Sequence, residues 1–327
     1  MKCIIALLSL SFLLGLACAA DPLSLLIVDG QNNHNWKATT PVMQALLEKS
    51  GRFNVDVSTS PSSSPRKPRP PKNADEKARE LHERRMADWE KQMEAFNKIA
   101  MDERWAKWRP AFAEYDVVLL NYTGQDWPKE VQTAFETYVR EGGGVVVVHA
   151  ANNAFPKWKE FNEIIGLGGW GGRNETSGPY LRLRDGAWVK DTTKGPGGMH
   201  GGHWEYTLEV RTPDHPITKG LPPTFKMAKE ELYDRLRGPA NNITVLYSAH
   251  ATKETRGSGE HEPAIFTIDY HKGRVFHTVL GHSDESMKGL AFQETLKRGS
   301  EWAATGKVTF PPVDAKTLTA DKAALAE

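Results

Sequence analysis

Apolar residues along this chain fall into short β-branched runs separated by stretches of helical period. SLLIVD, Ser24 to Asp29, runs into polar GQNNHNW and predicts a first strand with its C-terminal loop. TTPVMQALLEKSG then predicts a helix, with Thr39 or Thr40 as cap, Pro41 in the first turn and Gly51 at the stop. FNVDV alternates as a second strand, which completes a β-α-β opening of about 30 residues. YDVVLLNY (115–122) predicts a third strand. WPKEVQTAFETYVREGGG predicts its crossover helix, with Phe135, Tyr138 and Val139 on one face and Gly142 at the end. GGGVVVVH follows, a run that reads as a strand buried on both faces and that delivers His149 to its tip. WKEFNEIIG is the next helix. YTLEV, NITVLYSA, PAIFTIDY and GRVFHTVLG are strands, and a last helix runs from about Met287 to Ala304. Strands alternating with helices predict an α/β fold with a doubly wound, mostly parallel sheet.

Two stretches break this rhythm. Residues 58–72 are dense in Pro, Ser and base and read as an exposed loop, and 73–108 carry no Gly or Pro and read as a long helix or helical hairpin. Leu81, Met86, Trp89, Met93, Phe96 and Trp105 are its expected apolar stripe. Residues 58–110 are therefore taken as an insertion, a lid or packing arm in preference to a partner-binding helix. Between Gly166 and Gly202 glycine is frequent, in GLGGWGGRNETSG and KGPGGMHGGHWEY, which marks backbone lining a site or mobile loops.

Composition adds limits. The chain has 327 residues, 25% charged and 39% hydrophobic, with a net charge of +1, so bulk electrostatics call for no nucleic-acid or anionic-membrane partner. Lys2, an apolar run from Ile4 to Ala17 and small residues to Ala20 read as a secretory signal peptide cleaved after Ala19 or Ala20. The expectation is a secreted or periplasmic protein with no transmembrane segment after that removal. Gly15-Leu16-Ala17 before Cys18 is a poor lipobox, which disfavours a lipid anchor. The expected divisions are the signal peptide at 1–20, one domain over 21–312 and a tail over 313–327. Both cysteines, Cys3 and Cys18, fall in the leader, so the mature chain is expected to use no disulfide, thiolate nucleophile or cysteine-metal site.

The chemistry then rests on histidine. His34 follows the first strand, His149 the fourth and His282 the last, and chemistry in open α/β sheets gathers at the carboxyl ends of strands. His34, His149 and His282 are the expected ligands of a divalent metal, zinc or similar. Glu231 stands with them as ligand or general base, and His149 and Glu231 are the expected catalytic pair. The competing reading has these imidazoles hydrogen-bonding sugar hydroxyls or loop backbone. Asn33, Trp36, Asn152, His203 and Tyr233 are the expected substrate contacts, because aromatic faces stack on sugar rings and amides bind hydroxyls. His200 with His203 forms a second candidate pair. His215 is expected to order a turn, His277 to lie in the core, and His82, His261 and His271 to lie on the surface. GxGxxG is absent after the first strand, so no nicotinamide cofactor or flavin is expected.

Taken together, DGQNNHNW, YDVVLLNYTGQDWP, YVREGGGVVVVHAANNAF, DHPITKGLP, EELYDRL, and GRVFHTVLGH before a helix ending in EWA resemble the trehalose-utilization, or ThuA-like, family. The resemblance spans about 24–57 and 112–304; the insertion departs from it. It implies a flavodoxin-like fold related to class I glutamine amidotransferases, whose nucleophile elbow bears a cysteine. VVVVHAANN has none, which excludes thiolate glutaminase chemistry. The resemblance also implies carbohydrate catabolism, with a sugar or 3-keto-glycoside as substrate and sugar dehydrogenases as pathway partners. The alternative of a different class is a non-catalytic carbohydrate-binding or scaffold protein.

Overall fold

The structure is a computed structural model that describes residues 21–72 and 75–326. The expected signal peptide, with Cys3 and Cys18, lies outside the described residues.

Nine strands form one sheet. In chain order they are β1 (Leu23–Asp29), β2 (Phe53–Thr59), β3 (Val117–Leu120), β4 (Gly144–Val148), then, past three short strands, β8 (Thr207–Val210), β9 (Thr224–Lys226), β11 (Ile243–His250), β12 (His261–Tyr270) and β13 (Gly273–Thr278). The short strands are β5 (Tyr180–Arg184), β6 (Ala187–Asp191) and β7 (Met199–His200), and β10 (Tyr233–Asp234) lies between β9 and β11. The sheet order is β2-β1-β3-β4-β13-β12-β11-β8-β9. The first five are mutually parallel in the order of a flavodoxin-like sheet, and the pairings beyond β13 are antiparallel. Helices α1 (Trp36–Lys49) and α6 (Leu290–Thr305) cover one face, and α4 (Lys129–Arg140) and α5 (Lys159–Ile165) cover the other. The expected flavodoxin-like α/β fold is the one observed.

Burial explains the strand order. Every residue of β3 and β4 is buried, because helices cover both faces, and this is what the unbroken valines of β4 announce. β2 buries Phe53 and Val55 and exposes Asn54 and Asp56, and the expected alternation breaks at Val57, which is exposed, as an uncovered edge strand permits. The crossover helix α4 buries Phe135, Tyr138 and Val139 as expected, and Val131 with them. α1 begins three residues before the anticipated cap. Thr39 and Thr40 do not cap it: both are buried, and their hydroxyls accept hydrogen bonds from Asn121 Nδ2 at 3.0 Å.

The insertion is helical, with α2 (Glu76–Asn97) and α3 (Met101–Ala106), but its stripe needs correcting. No residue of α2 is fully buried; Met86, Trp89, Met93 and Phe96 are half-buried, and Leu81 is 48% exposed. Trp105 does reach the core, where Trp105, Trp108 and Trp127 stack edge to face at 5.3–5.4 Å between centroids. The insertion is thus tied down at its end and solvated along α2. Residues 313–326, set apart as a tail, pack back on the domain, with Leu318 buried and Ala326 N–H donating to the Lys288 carbonyl. No helix among the described residues is long and apolar enough to cross a membrane.

Candidate metal centre

The parallel strands deliver their carboxyl ends to one rim. β1 runs into residues 30–35 and β13 into 279–285, while β4 ends directly on His149. His149 has φ of +47°, a left-handed conformation that a non-glycine residue adopts at a cost of roughly 1–3 kcal/mol, so the chain turns sharply at the strand tip. Glycine serves the same rim twice. Gly30 has φ of +113°, and a Cβ there would fall 2.4 Å from Ser60 Oγ; Gly281, beside His282, has φ of +99°.

His34, His149, Glu231 and His282 meet there, with one ligand atom from each lying within 4.8 Å of the others. Glu231 Oε2 is 3.6 Å from His149 Nε2 and 4.0 Å from His34 Nε2, and its Oε1 is 3.5 Å from His282 Nε2. The residues fit a metal in their protonation as well as their spacing. His149 Nδ1 lies 2.6 Å from the Val279 carbonyl, which only accepts, so Nδ1 carries the proton and Nε2 the lone pair. That Nε2 is buried and has no hydrogen-bond partner. His34 Nδ1 faces Asn32 Oδ1 at 3.3 Å, while Asn32 Nδ2 donates to Asn121 Oδ1 at 3.2 Å. The same logic therefore leaves His34 Nε2 free to ligate. These outer contacts are the kind that orient metal-binding imidazoles.

Electrostatics agree. Burial lowers His34 to about 3 and His282 to about 4, so both are neutral at pH 7. Burial alone would lift the Glu231 carboxyl, but the imidazoles around it outweigh that and hold it at about 2. Three imidazoles and one carboxylate form the donor set that zinc and similar divalent ions take.

Glu230 does a different job from its neighbour. It is buried, its Oε1 accepts from the Gly281 and His282 backbone N–H groups at 2.5 and 2.6 Å, and burial raises its pKa. Its backbone bridges Trp204 in both directions at 3.1 Å. That bridge brings His203 Nε2 to 3.2 Å and His200 Nδ1 to 3.4 Å from Glu231 Oε1. The second histidine pair thus shares the carboxylate with the first cluster.

A cleft of about 670 Å³ opens above the cluster, with Asn33, Asn153, Trp170, Tyr233 and Glu231 among its walls. Tyr233 also stacks on His149 at 4.1 Å between centroids. The sequence reading needs two corrections here. Asn152 is fully buried and its Nδ2 bonds His277 Nε2 at 3.1 Å; the turn after His149 points Asn152 into the core and Asn153 into the cleft. Trp36, the first residue of α1, is half-buried and is not among the residues lining the cleft. Trp127 and Trp158 are core aromatics. His277 is buried in the sheet, and His215 Nδ1 accepts from Ile217 N–H within its turn, both as expected. His271 is exposed, whereas His261 and His82 are half-buried. Ser63, Ser64 and Arg66 line the cleft although their segment reads as a plain exposed loop. A larger groove, about 960 Å³, lies at the opposite edge against α4, but it contains no histidine and so no comparable donor set.

The sequence model of the ThuA family, described as trehalose utilisation, matches residues 78–303. A solved ThuA-like protein of Parabacteroides merdae ATCC 43184 is 42% identical, with 94% of this chain and 98% of that one covered and a TM-score of 0.77. A ThuA-like protein of Bacteroides uniformis ATCC 8492 is 19% identical over 90% of this chain and 96% of its own, with a TM-score of 0.52, and shares the fold. No curated protein matches the sequence at a significant level.

Proposed function

The chain belongs to the ThuA family of trehalose utilisation, and from that premise we propose that it is an exported, metal-dependent enzyme acting on a sugar or 3-keto-glycoside. The observation that carries the reading is the buried, unpartnered Nε2 of His149, aimed at Glu231 within reach of His34 and His282. A lone pair so placed has lost its water, and a cation restores the interaction. His34, His149, His282 and Glu231 would hold the ion. When bound, a divalent ion there supplies a Lewis acid for a carbonyl or a water whose pKa falls to about 7.

The remaining residues bind and move protons. Trp170 offers an aromatic face to a sugar ring, and Asn33 and Asn153 offer amides to its hydroxyls, while Tyr233, fully buried, backs the His149 ring. A ketone at C3 acidifies the neighbouring C–H, so cleavage or isomerisation needs a base and an electrophile but no covalent nucleophile. This suits a site without cysteine. His203, exposed and 3.2 Å from Glu231 Oε1, would pass a proton between that carboxylate and solvent.

The test is turnover of 3-keto-trehalose by zinc-loaded protein and by His34→Ala, which changes a half-buried ligand. The reading expects turnover by the wild type and a loss of at least about 100-fold in the variant. Unaltered sugar binding with no turnover in either protein supports the non-catalytic carbohydrate-binding alternative.

A further inference from the structure

The Pro-rich segment is clamped over the cleft at two points. Gln31 Nε2 donates to the Pro61 carbonyl at 2.6 Å, and Trp89 Nε1 of α2 donates to the Pro65 carbonyl at 3.0 Å. The span between these anchors sets Ser63 and Ser64 into the wall that His34 and Glu231 share, and Arg66, directly after the second anchor, lines the same wall. Arg66 also lines the adjoining groove of about 470 Å³ with Arg69 and Arg85, where Asp88 is the one carboxylate. Residues 57–74 contain Arg66, Lys67, Arg69 and Lys72 and no acidic residue. The Arg66 side chain is exposed and makes no hydrogen bond or ion pair among the described residues.

The charge of the Pro-rich wall is therefore one-sided. Glu231 is the single carboxylate lining the cleft, and the imidazole cluster already engages it. An unpaired guanidinium at the far wall, backed by three further cations in a chain of near-zero net charge, makes a local positive field. Guanidinium binds carboxylate and phosphate through two parallel N–H···O bonds. We propose that the Pro-rich segment is the distal wall of the substrate site and that Arg66 recognises an anionic group, carboxylate or phosphate, on a sugar ligand. The inference rests on the reading of the cleft as a sugar site and adds the substrate's charge to it.

Calorimetry on the zinc-loaded full protein, with two matched pairs of ligands, tests it. Trehalose against trehalose 6-phosphate reads phosphate, and maltose against maltobionate reads carboxylate. At least one anion is expected to bind about tenfold or more tighter than its neutral partner at 0.15 M salt, the gain of a paired guanidinium. In Arg66→Gln that advantage is expected to fall within about twofold, with zinc content unchanged. Anions that bind no better than their neutral partners, or an advantage that survives Arg66→Gln, overturn the proposal. Failure of the parent reading shows separately, as wild-type protein that takes up no zinc.

Discussion

Asn32 illustrates how one side chain governs the orientation of a neighbouring candidate ligand, His34. Its Oδ1 faces His34 Nδ1 and also accepts the His34 backbone N–H at 2.9 Å, so it sets both the loop and the tautomer. Asn32→Ala is expected to weaken metal affinity by about 10- to 100-fold without altering the fold, as titration of a metal indicator against the variant will show. Residue-level reading of the sequence found His34, His149 and His282 because strand tips are recognisable from where β-branched runs stop. It failed at Asn152 because nothing local gives the phase of the turn that begins at His149. A left-handed residue there rotates the next side chains, sending Asn152 onto His277 and Asn153 outward. Glu231 is the glutamate the sequence reading chose, and it does face the cluster, but nothing local separates it from Glu230; which one faces the site depends on the Trp204 bridge, a long-range contact.

At the scale of elements, the main strands and helices were legible because buried strands and amphipathic helices carry different periods. The β5–β6 hairpin had a signal that went unread: RLRDGAWV places Asp185-Gly186 between the strands, both with positive φ, as a two-residue turn requires. The Pro-rich segment is the exposed loop its composition predicts, but composition says nothing of the clamps from Gln31 and Trp89. α2 shows why periodicity overstates burial. Its stripe has the right spacing, but no second layer covers it. Leu81→Glu is therefore expected to change unfolding free energy by less than about 0.5 kcal/mol, while Trp105→Ala costs about 3–5 kcal/mol. Urea denaturation of the two variants separates these outcomes. Hydrogen exchange in α2 is expected to finish well before that in β3 and β4, which are buried throughout.

For the whole molecule, pH is the lever. His277 is fully buried, its Nδ1–H donates to the Ile165 carbonyl at 2.8 Å, and its Nε2 accepts from Asn152. Burial lowers it to about 3 from an ordinary 6.5. A histidine with a depressed folded pKa stabilises fully above its unfolded value, and that stability is lost as pH falls from 6.5 toward 3. His277 alone is expected to remove about 2 kcal/mol between pH 7 and pH 5. His215, lowered to about 4 by burial, adds to the same slope. Denaturation of metal-free protein across this range measures the loss, and His277→Gln is expected to flatten it. A curve unchanged by that substitution would mean that the imidazole is not held neutral.

The architecture, an open sheet with one busy edge, matters because it brings four side chains from distant parts of the chain around one point. The most direct measurement is the metal content of purified protein after equilibration with zinc and removal of free ion. One zinc per chain is predicted for the wild type. Substoichiometric metal is predicted for His34→Ala, His149→Ala and His282→Ala, each still folded by circular dichroism. Wild-type protein that retains no zinc, or variants that retain as much as the wild type, would contradict the assignment.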